Sequence, residues 1–177
     1  MTRPMSSLVV ACVATMLAIT TPAHELGAQT PVHFSVAGGL GLPLSDLGDG
    51  ADLGLNLALR IEGRPHAPNW GVRGDVSYDR FDGRGGVNEY SYLGFGANLV
   101  HRARSGRMYQ FGGLGLYNSR VEFTNSLSRT DTNLGVQMGL GFDLTTDRGV
   151  FTEFGLTSAF TSGRNSLWVP VRVGLRF

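Results

Sequence analysis

From Val32 onward, apolar and polar residues alternate with a period of two, the pattern of strands with one apolar face. About eight such runs follow one another, separated by turn-rich stretches. In the first, Val32, Phe34, Val36, Leu40 and Leu42 oppose His33, Ser35, Ala37, Gly39 and Gly41. The second is the cleanest, with Leu53, Leu55, Leu57, Leu59 and Ile61 set against Asp52, Gly54, Asn56, Ala58, Arg60 and Glu62. The third sets Trp70, Val72, Val76 and Tyr78 against Arg73, Asp75, Ser77 and Asp79. The fourth sets Leu93, Phe95, Ala97 and Leu99 against Tyr92, Gly94, Gly96 and Asn98. The sixth sets Leu134, Val136, Met138, Leu140, Phe142 and Leu144 against Asn133, Gly135, Gln137, Gly139, Gly141 and Asp143. In the seventh, Val150, Phe154, Leu156 and Phe160 oppose Phe151, Glu153, Gly155, Thr157 and Ala159. In the last, Leu167, Val169, Val171, Val173, Leu175 and Phe177 oppose Trp168, Pro170, Arg172, Gly174 and Arg176. The fifth run, residues 108–118, is blurred by Gly112, Gly113 and Gly115. Its phase stays open, and a bulge is one way to accommodate it.

A soluble sandwich also alternates, so three further features decide the fold. Runs of about ten residues in even number suit a membrane-spanning barrel. Aromatics gather near strand ends, with Trp70, Phe142 and Phe177 on one side and Tyr78, Tyr90, Tyr117 and Phe160 on the other, as in interfacial girdles. The polar face carries Arg73, Asp75, Glu153 and Arg172 in mid-strand, and a sandwich core would bury these at high cost. In hydrocarbon every backbone amide must be satisfied within the protein, so the strands must close on themselves. The expectation is an all-β fold, an eight-stranded antiparallel up-and-down transmembrane β-barrel with its polar face inward. A soluble periplasmic barrel of lipocalin shape, with the faces exchanged, is the alternative.

Residues 1–28 read as a cleaved secretory signal, leaving residues 29–177 as the barrel domain. Arg3 gives the basic start, and residues 8–19 form an apolar run too short to span as a helix. Cleavage falls after Ala28 or after Ala23. Cys12 lies inside this segment, so the mature chain has no thiol for a disulfide, a nucleophile or a metal. Lipidation of Cys12 is a minor alternative, because little apolar sequence precedes it.

Composition narrows the classes further. All 15 basic residues are arginine, and they face 14 acidic ones, which excludes a polybasic nucleic-acid binder. Charged residues make up only 16% of the chain, and glycine reaches 26 of 177. Gly94-Phe95-Gly96 and Gly112-Gly113-Leu114-Gly115 fall inside strands, where Gly-x-Gly relieves crowding on one face, so they are not phosphate loops. His24, His33, His66 and His101 lie on separate elements without metal-ligand spacing, and no cofactor is expected.

With these runs and the ending Val171, Val173, Leu175 and Phe177, the chain resembles the outer-membrane β-barrel family, of the OmpA-like and OmpX-like eight-stranded kind. The terminal alternation closed by an aromatic resembles the signal read by the barrel-assembly machinery, which the resemblance implies as a partner during biogenesis. It also implies a bacterial outer-membrane location, a porin-like architecture, a monomer, and both termini in the periplasm. Outer loops are then expected near residues 43–51, 79–89, 119–131 and 161–166, and inner turns near 63–69, 102–107 and 145–149. Their shortness argues against an adhesion role of the kind that rests on long loops.

The charged face implies a lumen network of Arg60, Arg73, Asp75, Glu153 and Arg172. On neighbouring strands, Arg60 is expected to reach Asp75 and Glu153 to reach Arg172. Paired side chains filling a narrow interior give a rigid plug, whereas incomplete filling gives a narrow polar path. Outer-loop Arg80, Arg84, Arg120, Arg129 and Arg164 are candidate contacts for lipopolysaccharide phosphates, with ordinary solvated loop charge as the alternative. The resulting expectation is a non-enzymatic barrel, structural or surface-protective. The alternatives are a narrow solute channel, an apolar-ligand carrier, or a lipid A-modifying enzyme of outer-membrane barrel type. For the last, Ser91 and His101 sit towards opposite ends of one run and make no triad.

Overall fold

A computed structural model of the chain describes residues 32–64, 69–104, 106–145, 149–161 and 164–177. Residues 1–28, expected to be a signal segment, with Cys12, His24 and both expected cleavage sites, lie outside the described residues, as does His66. The strands are β1 (Val32–Leu44), β2 (Ala51–Gly63), β3 (Trp70–Gly83), β4 (Val87–Arg102), β5 (Met108–Phe123), β6 (Ser128–Asp143), β7 (Val150–Thr161) and β8 (Arg164–Arg176). One short helix, α1 (Ser45–Gly50), joins β1 to β2. Each strand pairs antiparallel with the next, and β1 pairs with β8, so the sheet is a closed barrel. We call the end that carries both chain ends the base and the opposite end the crown.

The alternation sorts residues across the wall. Leu55 is 64% exposed and Leu59 61%, whereas Arg60 between neighbouring outward positions is 5% exposed. The apolar face therefore points out and the polar face in, which removes the lipocalin-like alternative. In β5, Tyr109, Phe111, Tyr117 and Ser119 point inward, while Met108, Leu114 and Leu116 point outward. The ladders from β5 to β4 and β6 run through this stretch without a shift, so the glycines there mark no bulge. Its phase was obscured because inward aromatics make both faces apolar. Tyr117, grouped above with an outer girdle, is 2% exposed and faces the lumen. Trp70 and Phe160 do face outward.

The crown has even less loop than expected. β4, β5 and β6 have 16 residues each, more than the roughly 9–11 that a spanning strand needs. Much of 79–89 and 119–131 is therefore strand, and only short turns remain between β3 and β4 and between β5 and β6. Beyond the membrane both faces meet water, so alternation fades while the hydrogen-bonded ladder continues. The upper part of β6 is paired on one side only, because its ladder with β7 begins at Gly135 opposite Ala159.

Candidate functional site

The lumen is the candidate site, and it is built in layers. At the base, Arg102 donates through Nη2 to Glu62 Oε1 and Oε2 at 2.8 and 3.1 Å and through Nη1 to Asp143 at 3.2 Å. Arg176 reaches the same Asp143 at 3.0 Å. Tyr109 lies beneath both guanidinium groups, with centroid distances of 4.7 Å to Arg102 and 5.7 Å to Arg176.

One layer further in, Glu153 is 1% exposed and accepts three hydrogen bonds. Arg60 Nη2 donates at 2.5 Å, Arg73 Nη1 at 2.9 Å and the Tyr109 hydroxyl at 2.8 Å. Arg73 also lies 4.0 Å from the centre of the Phe111 ring, and Arg60 5.5 Å from that of Phe151. Such cation–π contacts strengthen where water is excluded. A carboxylate buried to this degree is tolerable only when paired and fully hydrogen-bonded, and Glu153 meets both conditions.

Nearer the crown, polar amides take over from ion pairs. Arg172 donates from Nε to Asn56 Oδ1, and the Asn56 amide donates in turn to Asp79. Trp168 Nε1 donates to the same Asp79 oxygen at 3.0 Å. Asp75 accepts from Asn98 and, at 2.9 Å, from Gln137 Nε2. An aromatic stack then closes the lumen. Trp168 stacks on Tyr92 at 4.8 Å between ring centres, with Tyr117 and Phe81 edge-on to it at 5.7 and 6.2 Å. Leu47 of α1 and Ala51 belong to the same buried cluster.

Close-set glycines make room for these inward rings. A Cβ added at Gly94 would lie 2.8 Å from Tyr117 Cε1, and one at Gly135 2.7 Å from Tyr117 Cδ2. The same holds for Gly41 beneath Phe81 and Gly139 beside Phe111. An eight-stranded interior is just wide enough for side chains, so each large ring needs a neighbour with none.

The residues singled out in the sequence occupy these layers, but their partners differ. The register does set Arg60 opposite Asp75 and Glu153 opposite Arg172. The ion pairs nevertheless cross the lumen: Arg60 and Arg73 converge on Glu153, Asp75 takes amide donors, and Arg172 reaches Asn56. A long arginine side chain points towards the barrel axis rather than along the wall. It therefore meets whichever acid the stagger of the barrel brings to its level. Sequence reasoning did not pick out Glu62, Arg102, Asp143 and Arg176 as a second network, nor the aromatic stack. A signal was available, since Tyr92, Trp168 and Arg176 already fell on the polar phase.

At the ending of the chain, Val173, Leu175 and Phe177 are 56%, 44% and 73% exposed on the outer surface, and Val171 is half-buried in the same phase. Four of the crown arginines each face a carboxylate: Arg80 with Glu89 at 2.9 Å, Arg84 with Asp52, Arg120 with Glu122 at 2.6 Å and Arg129 with Asp131 at 2.8 Å. The Asp52 hydrogen bond holds the Arg84 guanidinium above its ordinary range. Arg164 begins β8, and its side chain lies outside the described residues. Ser91 and His101 sit towards opposite ends of β4. Among the described residues, no three His, Cys, Asp or Glu side chains come together as metal ligands.

The same architecture recurs among solved structures. Ail, the attachment invasion locus protein of Yersinia pestis, is 18% identical, with a TM-score of 0.59 over 85% of this chain and 100% of that one. The N-terminal β-barrel domain of Pseudomonas aeruginosa OprF is 12% identical, with a TM-score of 0.57 over 84% of this chain and 100% of that one. A major outer membrane protein of Thermus thermophilus is 14% identical, with a TM-score of 0.53 over 82% and 98%. At such identities the likeness establishes the fold alone. No curated protein matches the chain significantly. The family model for the outer membrane protein beta-barrel domain, however, matches residues 10–177. With an apolar outer wall, a polar interior and a ladder closed from β1 to β8, the chain belongs to the outer membrane protein β-barrel domain family and is a protein of the bacterial outer membrane.

Proposed function

We propose that the protein is a non-enzymatic, non-conducting outer-membrane barrel whose role is structural or surface-protective. One observation carries this reading: the lumen is occupied in successive layers, from the Glu62–Arg102–Asp143 pairs at the base to the Trp168–Tyr92 stack at the crown. A solute crossing the barrel would have to displace buried ion pairs, each costly to break. The closed ladder needs no ligand or metal to satisfy its backbone, so the barrel stands as a passive element of the membrane. Export through a signal cleaved after Ala28 or Ala23 belongs to the same reading. So does recognition of the Val171, Val173, Leu175 and Phe177 phase by the barrel-assembly machinery, because those side chains are presented outward. The carboxylates beside Arg80, Arg84, Arg120 and Arg129 favour self-contained crown charge over a dedicated lipopolysaccharide phosphate site.

Planar-bilayer recording of the purified barrel tests the reading. The expected trace has no stepwise current. Reproducible open-channel steps would replace the plug with a solute path. Unchanged lipid A masses with and without expression are expected in parallel, and a shifted mass would make the protein an enzyme.

A further inference from the structure

The outer wall carries two kinds of depression, and the contrast between them suggests an occupant for one. At the base end, a pocket of about 450 Å³ opens on the lipid-facing side of β3 to β6. That volume falls within the roughly 300–1,000 Å³ of small-molecule sites. Its floor is Gly112, flanked in register by Leu99 and Met138. Its rim is polar: Trp70, His101 and Gln110 lie side by side in the next row towards the base. Trp70 packs on His101 at 4.6 Å between ring centres. Gln110 Nε2 stands 3.4 Å from His101 Nδ1. The turn joining β4 to β5, three residues beyond each of these strand positions, adds exposed Arg104 and Arg107. Up the same strands lies a second depression of about 700 Å³, mainly apolar past Ala97, Leu114 and Gly74, with Arg60 and Asp75 also among its lining residues.

The other depression lies on β1, β2 and β8, with Val150 of β7 at its edge. It holds about 260 Å³ around Gly38, walled by Val36, Leu57 and Val173 and without a polar side chain. It is what a barrel wall in lipid shows wherever a glycine interrupts a row of larger residues.

We infer that the Gly112 pocket is a binding site for one glycerophospholipid molecule, its phosphate at the His101–Gln110 rim beneath Arg104 and Arg107 and one acyl chain lying over Gly112 towards Ala97. Three features choose this occupant. The pocket is apolar along its length and polar at one end only. The polar end is marked by a tryptophan at strand-end level, where interfacial aromatics sit. The turn beyond the polar end carries exposed Arg104 and Arg107, and arginine matches phosphate oxygens. The base faces the phospholipid leaflet if the termini are periplasmic. The inference is independent of whether the lumen conducts.

The test reconstitutes the full barrel into vesicles of phosphatidylcholine and phosphatidylglycerol, re-extracts it in mild detergent and counts retained lipid by native mass spectrometry. One phospholipid per barrel is expected, enriched in phosphatidylglycerol. Gly112→Leu fills the floor, where an added Cβ would meet nothing nearer than Gln137 O at 3.9 Å. It should lower occupancy roughly tenfold. His101→Ala and Gln110→Ala change outward-facing rim side chains and should lower the occupancy of both lipids, whereas Arg104→Gln with Arg107→Gln should remove the preference for phosphatidylglycerol. They carry the test if the leucine variant does not fold. Gly38→Leu fills the other depression and should leave retention unchanged. No retained lipid, or equal retention in all variants, overturns the site. Loss in Gly112→Leu with unchanged occupancy in the rim variants and an unchanged headgroup preference in the arginine variants overturns the phosphate assignment.

Discussion

The lower and upper halves of the lumen solve one packing problem with opposite chemistry. Towards the base, Glu153, Glu62 and Asp143 pair with Arg60, Arg73, Arg102 and Arg176 in a buried network. Towards the crown, Trp168, Tyr92, Tyr117 and Phe81 fill the same width with rings. The charged half gains specificity, because each arginine is matched to particular acids across the lumen, but each charge depends on its partners. The aromatic half depends chiefly on volume, and Asp79 joins the two through Asn56 and Trp168. A narrow barrel can thus be filled either way, and what differs is how each half fails.

The largest expected effect comes from breaking the charged half at its hub. Glu153→Ala leaves Arg60 and Arg73 buried without a counter-charge, a loss of about 3–5 kcal/mol. Urea unfolding in detergent, followed by the migration of unboiled samples, should show it. Replacing Arg60, Arg73 and Glu153 together with methionine should recover most of that loss, since well-packed apolar substitutes for buried ion networks are often neutral. If the triple variant is as unstable as the single one, the charges do more than pair. In the aromatic half, Trp168→Ala should cost about 3–5 kcal/mol from lost volume, and no single compensating charge should restore it. Arg172→Ala sits at the junction. Its lost hydrogen bond to Asn56 should cost roughly 1.5–3 kcal/mol in the same assay, and unchanged unfolding would deny it a structural role. Smallest of all, Arg120→Ala on the exposed crown should change stability by less than about 1 kcal/mol.

Much of this architecture is legible in the sequence because lipid and lumen impose opposite chemistry on successive residues. Leu53 to Ile61 in β2 needs no structure to assign its faces. Legibility fails where that contrast fails. In β5, Tyr109, Phe111 and Tyr117 point into the lumen, so both phases look apolar. In the upper parts of β5 and β6, both faces meet water, so strand reads as loop. The ion-pair partners are hidden for a different reason. Arg60 and Glu153 are 93 residues apart, and their meeting depends on the stagger of the barrel, which no local pattern encodes. The base network of Glu62, Arg102, Asp143 and Arg176 lies at strand ends, where charge is ordinary and draws no notice.

The seam between β1 and β8 also constrains how the molecule is made. Its partners, from Ser35 with Arg176 to Leu44 with Leu167, come from the first and last strands of the barrel. Until β8 arrives, every intermediate is an open sheet whose rims are unpaired amides and whose outer face is a continuous apolar surface. Such a sheet is stable neither in water nor in hydrocarbon. Strands cannot be committed to the bilayer one at a time in the order of synthesis. They must be held, sheltered at both rims, and released only when the two most distant strands have met. Commitment to the bilayer and the meeting of the two most distant strands are therefore a single event.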